Sequence, residues 1–174
     1  VQLIEAAEDL GMLVDVSHLN DEGFWDVLKY AQNPVIASHS NTRSLALTRR
    51  NLCDEQIKAL AETGGGIGLN ASNMLVADKD QDATVKCFVN HLDHIVDLVG
   101  VDHVGFGFDF CDHLFKYISV NQIKGLSRKP FDIFGGHSEI GTLVHELVQR
   151  GYKDNDLKHI IGGNFLRVYG QVFK

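Results

Sequence analysis

Cysteine is scarce in this chain and poorly placed for structural chemistry. Cys53, Cys87 and Cys111 are far apart and odd in number. No C-x-x-C pair occurs, so neither a disulfide framework nor a zinc-ribbon site is supported. Buried thiols in a reducing cytoplasm are the expectation. Long apolar runs are missing as well: no stretch of about 18 residues would cross a membrane as a helix. Basic runs are absent and the net charge is -7 at pH 7, which argues against a nucleic-acid partner. The first residues, Val1-Gln2-Leu3-Ile4-Glu5-Ala6-Ala7-Glu8, lack the basic start and cleavage signature of a secretory signal. They read as the middle of a helix, and no initiator methionine precedes them, so a cut or trimmed product is expected. Repeats, low-complexity segments and linkers are also lacking. What remains is 174 residues, 44% apolar and 22% charged. Those are ordinary values for one domain with a packed core.

Four stretches share one design, a short apolar run that ends in a polar residue. They are Val14-Asp15-Val16-Ser17-His18, Val35-Ile36-Ala37-Ser38-His39, Gly66-Ile67-Gly68-Leu69-Asn70 and Val104-Gly105-Phe106-Gly107-Phe108-Asp109. Helical patterns lie between them. Residues 2–10 are amphipathic, Asn20 and Asp21 would cap a helix over 22–32, and Asp54-Glu55 opens another with Ile57, Leu60 and Ala61 at helical spacing. Residues 84–99 place Val85, Phe88, Leu92, Ile95 and Val99 on one face. Residues 72–83 and 111–137 read as loops, the second long enough to carry function. Helices are expected at 138–150 and 154–161, the latter stopped by Gly162-Gly163, with a last helical turn or two near Phe165–Tyr169. Alternation of this kind predicts parallel βαβ units. The strand-end residues are separated by 21, 31 and 39 positions, which suits one helix per step.

Side-chain alternation predicts that Gly105, Gly107 and Asp109 share a face, as do Gly66, Gly68 and Asn70, and Val35, Ala37 and His39. Each terminal polar residue then sits with small residues facing a crowded axis. That is how parallel α/β barrels deliver ligands and catalytic groups to the carboxyl ends of their strands. Two neutral imidazoles and a carboxylate suit Zn²⁺ or a similar cation. The alternative is that each histidine merely hydrogen-bonds at a strand end. Arg49 and Arg50 follow the second histidine closely, and a guanidinium there would clamp a carboxylate or serve as a surface salt bridge. His145-Glu146 would open a zincin helix, but Gln149 stands where the second histidine belongs. His91 and His94 share a helical face and are expected to pack or hydrogen-bond. Asp112, His113 and His137 lie in or near the long loop and are weaker candidates.

Six motifs together resemble the membrane (renal-type) dipeptidase family of zinc metallopeptidases. They are Asp15-Val16-Ser17-His18, Pro34-Val35-Ile36-Ala37-Ser38-His39-Ser40, Arg49-Arg50-Asn51, His91-Leu92-Asp93-His94-Ile95, Gly105-Phe106-Gly107-Phe108-Asp109-Phe110 and Gly162-Gly163-Asn164-Phe165-Leu166-Arg167-Val168. The resemblance implies a (β/α)8 TIM-like barrel with two zinc ions that hydrolyses dipeptides through hydroxide formed on the metal. It implies that His18 and His39 are metal ligands, that Arg50 binds the substrate carboxylate, and that Asp109 contacts substrate and handles protons. Asn70 matches the end of the seventh strand by position alone.

Departures from the family pattern set further expectations. The first-strand His-x-Asp, the bridging glutamate and the fourth-strand histidine have no counterpart here. Residues 1–174 are therefore expected to be a single partial domain, the carboxyl-terminal half of the barrel, with four parallel strands standing as its fifth to eighth. At most one partial zinc site remains, so the isolated chain is expected to be inactive, and to need either a homo-oligomer or the missing amino-terminal half. The family's Asp-Phe-Asp-Gly reads here as Asp109-Phe110-Cys111-Asp112. Two other readings stay open: a non-catalytic half-barrel binding or assembly module, and another metal-dependent amidohydrolase.

Overall fold

Helix caps divide the chain as its sequence suggests. In a computed structural model that describes residues 1–114, 117–118 and 128–173, α1 spans Gln2–Asp9 and α2 spans Asp21–Tyr30. The Asn20 side chain accepts from the Gly23 N–H, and Asp21 and Glu22 load the first turn of α2 with negative charge, both favourable at a helix start. Next come β1 (Ile36–Ala37), α3 (Asp54–Glu62), β2 (Gly66–Leu69), α4 (Asn73–Val76), α5 (Val85–Val99) and β3 (Val104–Phe106). Thr84 caps α5 through a bond from the Cys87 N–H. Later in the chain come α6 (Ile140–Gln149), α7 (Asp154–Lys158) and α8 (Asn164–Val172).

The strands form one parallel sheet in the order β1-β2-β3. The architecture is α/β, as the alternation predicts, and among the described residues the sheet has three strands, the first of the four expected strands being reduced to a bridge. Val14–Val16 lies beside β1, giving a Val16 N–H to the Ile36 carbonyl and accepting from the Ile36 N–H, and it forms a single parallel bridge from Asp15 to Ile36. The ladder stops there because side chains take over its next partners. The Ser38 N–H goes to Asp15 Oδ1 and the His39 N–H to Ser17 Oγ.

Register also corrects the predicted faces. Ala37 pairs with Ile67, and Ile67 with Val104, so Ala37 shares the large-residue face. That face belongs to the main core, with Phe24, Ile57, Leu60, Phe88, Leu92 and Ile95. Ile36 lies on the glycine face instead and is covered by Val168 and Val172 of α8. On that face Gly68 and Gly107 are compulsory. A Cβ on Gly68 would stand 2.1 Å from the Ser38 carbonyl oxygen, and one on Gly107 would stand 1.8 Å from the same atom.

Three further details depart from expectation. Residues 72–83 hold α4 and a 3-10 turn at Asp80–Asp82, because Ser72 supplies a helix cap. Gly162-Gly163 does not stop α7, since the chain widens into a π-helical turn over His159–Gly163 and continues into α8. The three cysteines are free, but half-buried rather than buried. Part of the 111–137 stretch, expected to be a loop, lies outside the described residues. Its later portion returns to the sheet side, where Asp132 bridges antiparallel to Ser72. Among the described residues, no helix is long and apolar enough to cross a membrane.

Candidate metal and substrate site

His18, His39, Asn70 and Asp109 meet at the carboxyl end of the sheet, as their strand-end positions predict. The His18 and His39 rings stand edge to face with centroids 4.9 Å apart. His39 Nε2 lies 3.9 Å from Asp109 Oδ2, too far for a hydrogen bond. Asn70 is buried and donates from Nδ2 to Asp109 Oδ2 at 3.1 Å, while its Oδ1 accepts from the Ser72 N–H at 2.7 Å. Two of these residues adopt left-handed backbone, His18 at φ 72° and Asp109 at φ 55°. Left-handed non-glycine residues are uncommon, although His and Asp are among those that tolerate the region. Their coincidence at one mouth marks a place where the fold holds side chains in set directions.

Arg50 reaches the same mouth from the 41–52 loop. Asn41 ties that loop to the sheet, accepting from the Asn70 N–H at 2.8 Å and donating to the Asn70 carbonyl at 3.1 Å. Arg50 is half-buried, and among the described residues its guanidinium makes no hydrogen bond or ion pair. Burial lowers its pKa, against the opposing pull of Asp109 and Asp15. It influences His18 in turn. Burial first, then the Arg50 and His39 charges, lower the His18 pKa, while Asp109 and Asp15 oppose them. The site therefore favours neutral His18, the form that binds metal. Arg49 lines the hollow beside His18 with Asn20 and Glu22.

The donor set can be tested against a metal on its own atoms. His39 Nε2 is buried and, among the described residues, is the polar side-chain atom left without a hydrogen-bond partner. Such an atom is costly unless a ligand satisfies it. A cation beside two imidazoles fits that vacancy of bonding. Three convergent His, Cys, Asp or Glu side chains are not found among the described residues, so the set is partial.

Other candidates have different roles. His91 is wholly buried, with Nδ1 accepting from the Thr42 N–H and Nε2 donating to the Val76 carbonyl. His94 meets Asp54 at 2.8 Å. Asp112, His113 and His137 line a cavity of about 600 Å³ walled by Phe106, Phe110 and Phe134, with Asp109 on its edge. Sequence reasoning assigned no role to Asp15, Ser17 and Ser38, although they stand inside the quoted motifs. Asp15 accepts from Ser17 and Ser38, and Ser38 Oγ lies 2.7 Å from His39 Nδ1. The available signal was two Ser-His pairs at equivalent strand ends.

Comparison with known proteins bears on the whole chain. The sequence model described as membrane dipeptidase, peptidase family M19, matches residues 1–174. An uncharacterized protein in the pqqA 5' region of Klebsiella pneumoniae is 33% identical over all of this chain and 60% of its own length. Dipeptidase 3 of Mus musculus is 30% identical over 98% of this chain and 32% of its own. Among solved structures, a metallo peptidase from Rhodobacter sphaeroides liganded with a phosphinate mimic of the dipeptide L-Ala-D-Ala superposes with a TM-score of 0.79 at 26% identity. The match covers 99% of this chain and 46% of that one. An amidohydrolase from Pseudomonas aeruginosa shares the fold at a TM-score of 0.84 and 24% identity, over 99% of this chain and 56% of its own. The chain thus spans from about a third to three fifths of these proteins' lengths.

Proposed function

The chain belongs to the membrane dipeptidase family, peptidase family M19, and on that premise we propose that it is the carboxyl-terminal half of a (β/α)8 barrel that hydrolyses dipeptides with zinc. The parallel sheet, the strand-end placement of the polar residues and the chain's length against its relatives support this reading. The observation that carries it is His39 Nε2, buried beside the His18 ring and, among the described residues, without a hydrogen-bond partner.

In this reading His18 and His39 hold the metal. Bound zinc supplies Lewis acidity and lowers the pKa of water toward neutrality. Arg50, half-buried and, among the described residues, without a carboxylate partner, receives the substrate's terminal carboxylate in a paired hydrogen bond. Asp109, oriented by Asn70, takes a proton from the attacking water and returns it to the leaving amine. Two imidazoles fall short of the three or four ligands that zinc sites usually hold. The 174 residues alone are therefore inactive.

Two measurements on the purified chain test this. Zinc titration should show binding that is lost in the His18→Ala, His39→Ala double variant; uptake that survives both replacements would sink the ligand assignment. A dipeptide hydrolysis assay with added zinc should show no turnover, and turnover by the chain alone would sink the half-site reading. The lack of a third convergent ligand among the described residues favours one other reading, a binding or assembly module without chemistry. Failure of the unaltered chain to take up zinc would be its signature.

A further inference from the structure

Asp15 sits one strand away from the histidine it governs. Its Oδ1 accepts from the Ser17 N–H at 2.9 Å and from the Ser38 N–H at 3.0 Å. Its Oδ2 lies 2.5 Å from Ser38 Oγ. An ionised carboxylate has no proton to give, so the Ser38 hydroxyl donates to it. A hydroxyl carries a single proton. With that proton committed to Asp15, Ser38 Oγ can meet His39 Nδ1, 2.7 Å away, only as an acceptor. Nδ1 must then bear the N–H of the neutral ring, and Nε2 is left with an unshared pair. Nε2 is also the atom that is buried and, among the described residues, has no hydrogen-bond partner. The main chain is clamped in the same act, because the His39 N–H donates to Ser17 Oγ at 3.0 Å.

We propose that Asp15 is a positioning residue which, through Ser38, fixes the tautomer of His39 so that Nε2 faces the mouth as a bare acceptor for a metal ion. The metal half of this statement rests on the function proposed above; the tautomer half rests on the hydrogen-bond chain alone. Partners behind a ligating imidazole typically change metal affinity by about 10- to 100-fold.

Asp15→Asn inverts the polarity of the chain. The amide keeps an oxygen for the two backbone N–H groups but presents an NH₂ donor to Ser38 Oγ. The hydroxyl proton then turns to His39 Nδ1, and the ring proton moves to Nε2. Long-range ¹H–¹⁵N correlation spectra of the metal-free, ¹⁵N-labelled chain at about pH 8 read this directly, with His39 identified by its loss in His39→Gln. The unaltered chain should show His39 protonated at Nδ1. Asp15→Asn should show it protonated at Nε2, and Ser38→Ala should show a mixture. Protonation at Nε2 in the unaltered chain would overturn the proposal, as would an unchanged pattern in a folded Asp15→Asn. Should Asp15→Asn fail to fold, Ser38→Ala decides by the same criterion. Zinc titration in parallel separates the two ideas. An Nδ1-protonated His39 with no zinc uptake supports the relay and counts against the metal reading. Zinc uptake weakened about 10-fold or more in Asp15→Asn supports both.

Discussion

Asn51 is wholly buried and its amide donates to the Ala46 and Leu75 carbonyls, at 3.0 Å and 2.9 Å, with the Thr42 carbonyl sharing one of these protons at 3.4 Å. Its Oδ1 accepts from the Asn41 N–H, so one side chain closes the loop that carries Arg50. Asn51→Ala should destabilise the fold by about 1–3 kcal/mol, the cost of stranding buried polar groups, measured by urea unfolding. His91 holds the other side of that loop through Thr42. Burial lowers its pKa from 6.5 to about 4. The unfolded chain takes up a proton near pH 6.5 that the folded chain refuses until about pH 4. Stability from this residue is therefore complete above pH 6.5, declines through that window and is lost by about pH 4, to a total of about 3 kcal/mol. His91→Gln should shrink the difference in urea midpoint between about pH 7 and pH 5; an unaltered difference would discount His91. At this scale the apolar runs and the strand-end histidine bring His18, His39, Asp109 and Arg50 to one mouth, as read from the sequence. Asp15, Ser38, Asn41 and Asn51 escaped it. Their partners lie up to 29 residues away and are chosen by strand register, which composition and periodicity do not reveal.

Helix α8 covers the glycine face of the sheet, and its fit depends on a missing side chain. A Cβ on Gly105 would lie 2.9 Å from the Phe165 ring and 3.1 Å from the Ile160 carbonyl oxygen. Arg167 ties the same helix to the Gly64 and Asp102 carbonyls, and Asn164 ties it to those of Val101 and Val104. Gly105→Ala should cost about 1–3 kcal/mol through overpacking, and adding Phe165→Ala should recover part of the loss. A double-mutant cycle by thermal unfolding checks this; strictly additive losses would show that the two positions do not meet. Helices such as Val85–Val99 were legible because a 3.6-residue apolar stripe has a cap at its start and a glycine at its end. Strand lengths were overestimated because an apolar run does not mark where side chains replace ladder partners, as Asp15 and Ser17 do. The π turn at Gly162-Gly163 was illegible for a related reason: glycine breaks a helix only when the following segment has nothing to bury, and here Val168 and Val172 find Ile36.

At the scale of the molecule, the fold class was legible and the completeness of the sheet was not. Apolar side chains stand in the open at Leu3, 82% exposed, Leu10, 76%, and Leu166, 70%, and Val14–Val16 is bonded to the sheet through β1. Surfaces of this kind tend to be covered by association. Light scattering should return a mass above that of one chain at high protein concentration, and a monomer there would argue against it. Beneath the mouth, Ser38, Gly68 and Gly107 touch through backbone atoms, one carbonyl oxygen filling the space that two side chains would need. Any side chain larger than hydrogen at Gly68 or Gly107 would therefore have to prise the strands apart. Change at this mouth is therefore easier in the loops above the sheet than in the glycine layer beneath it.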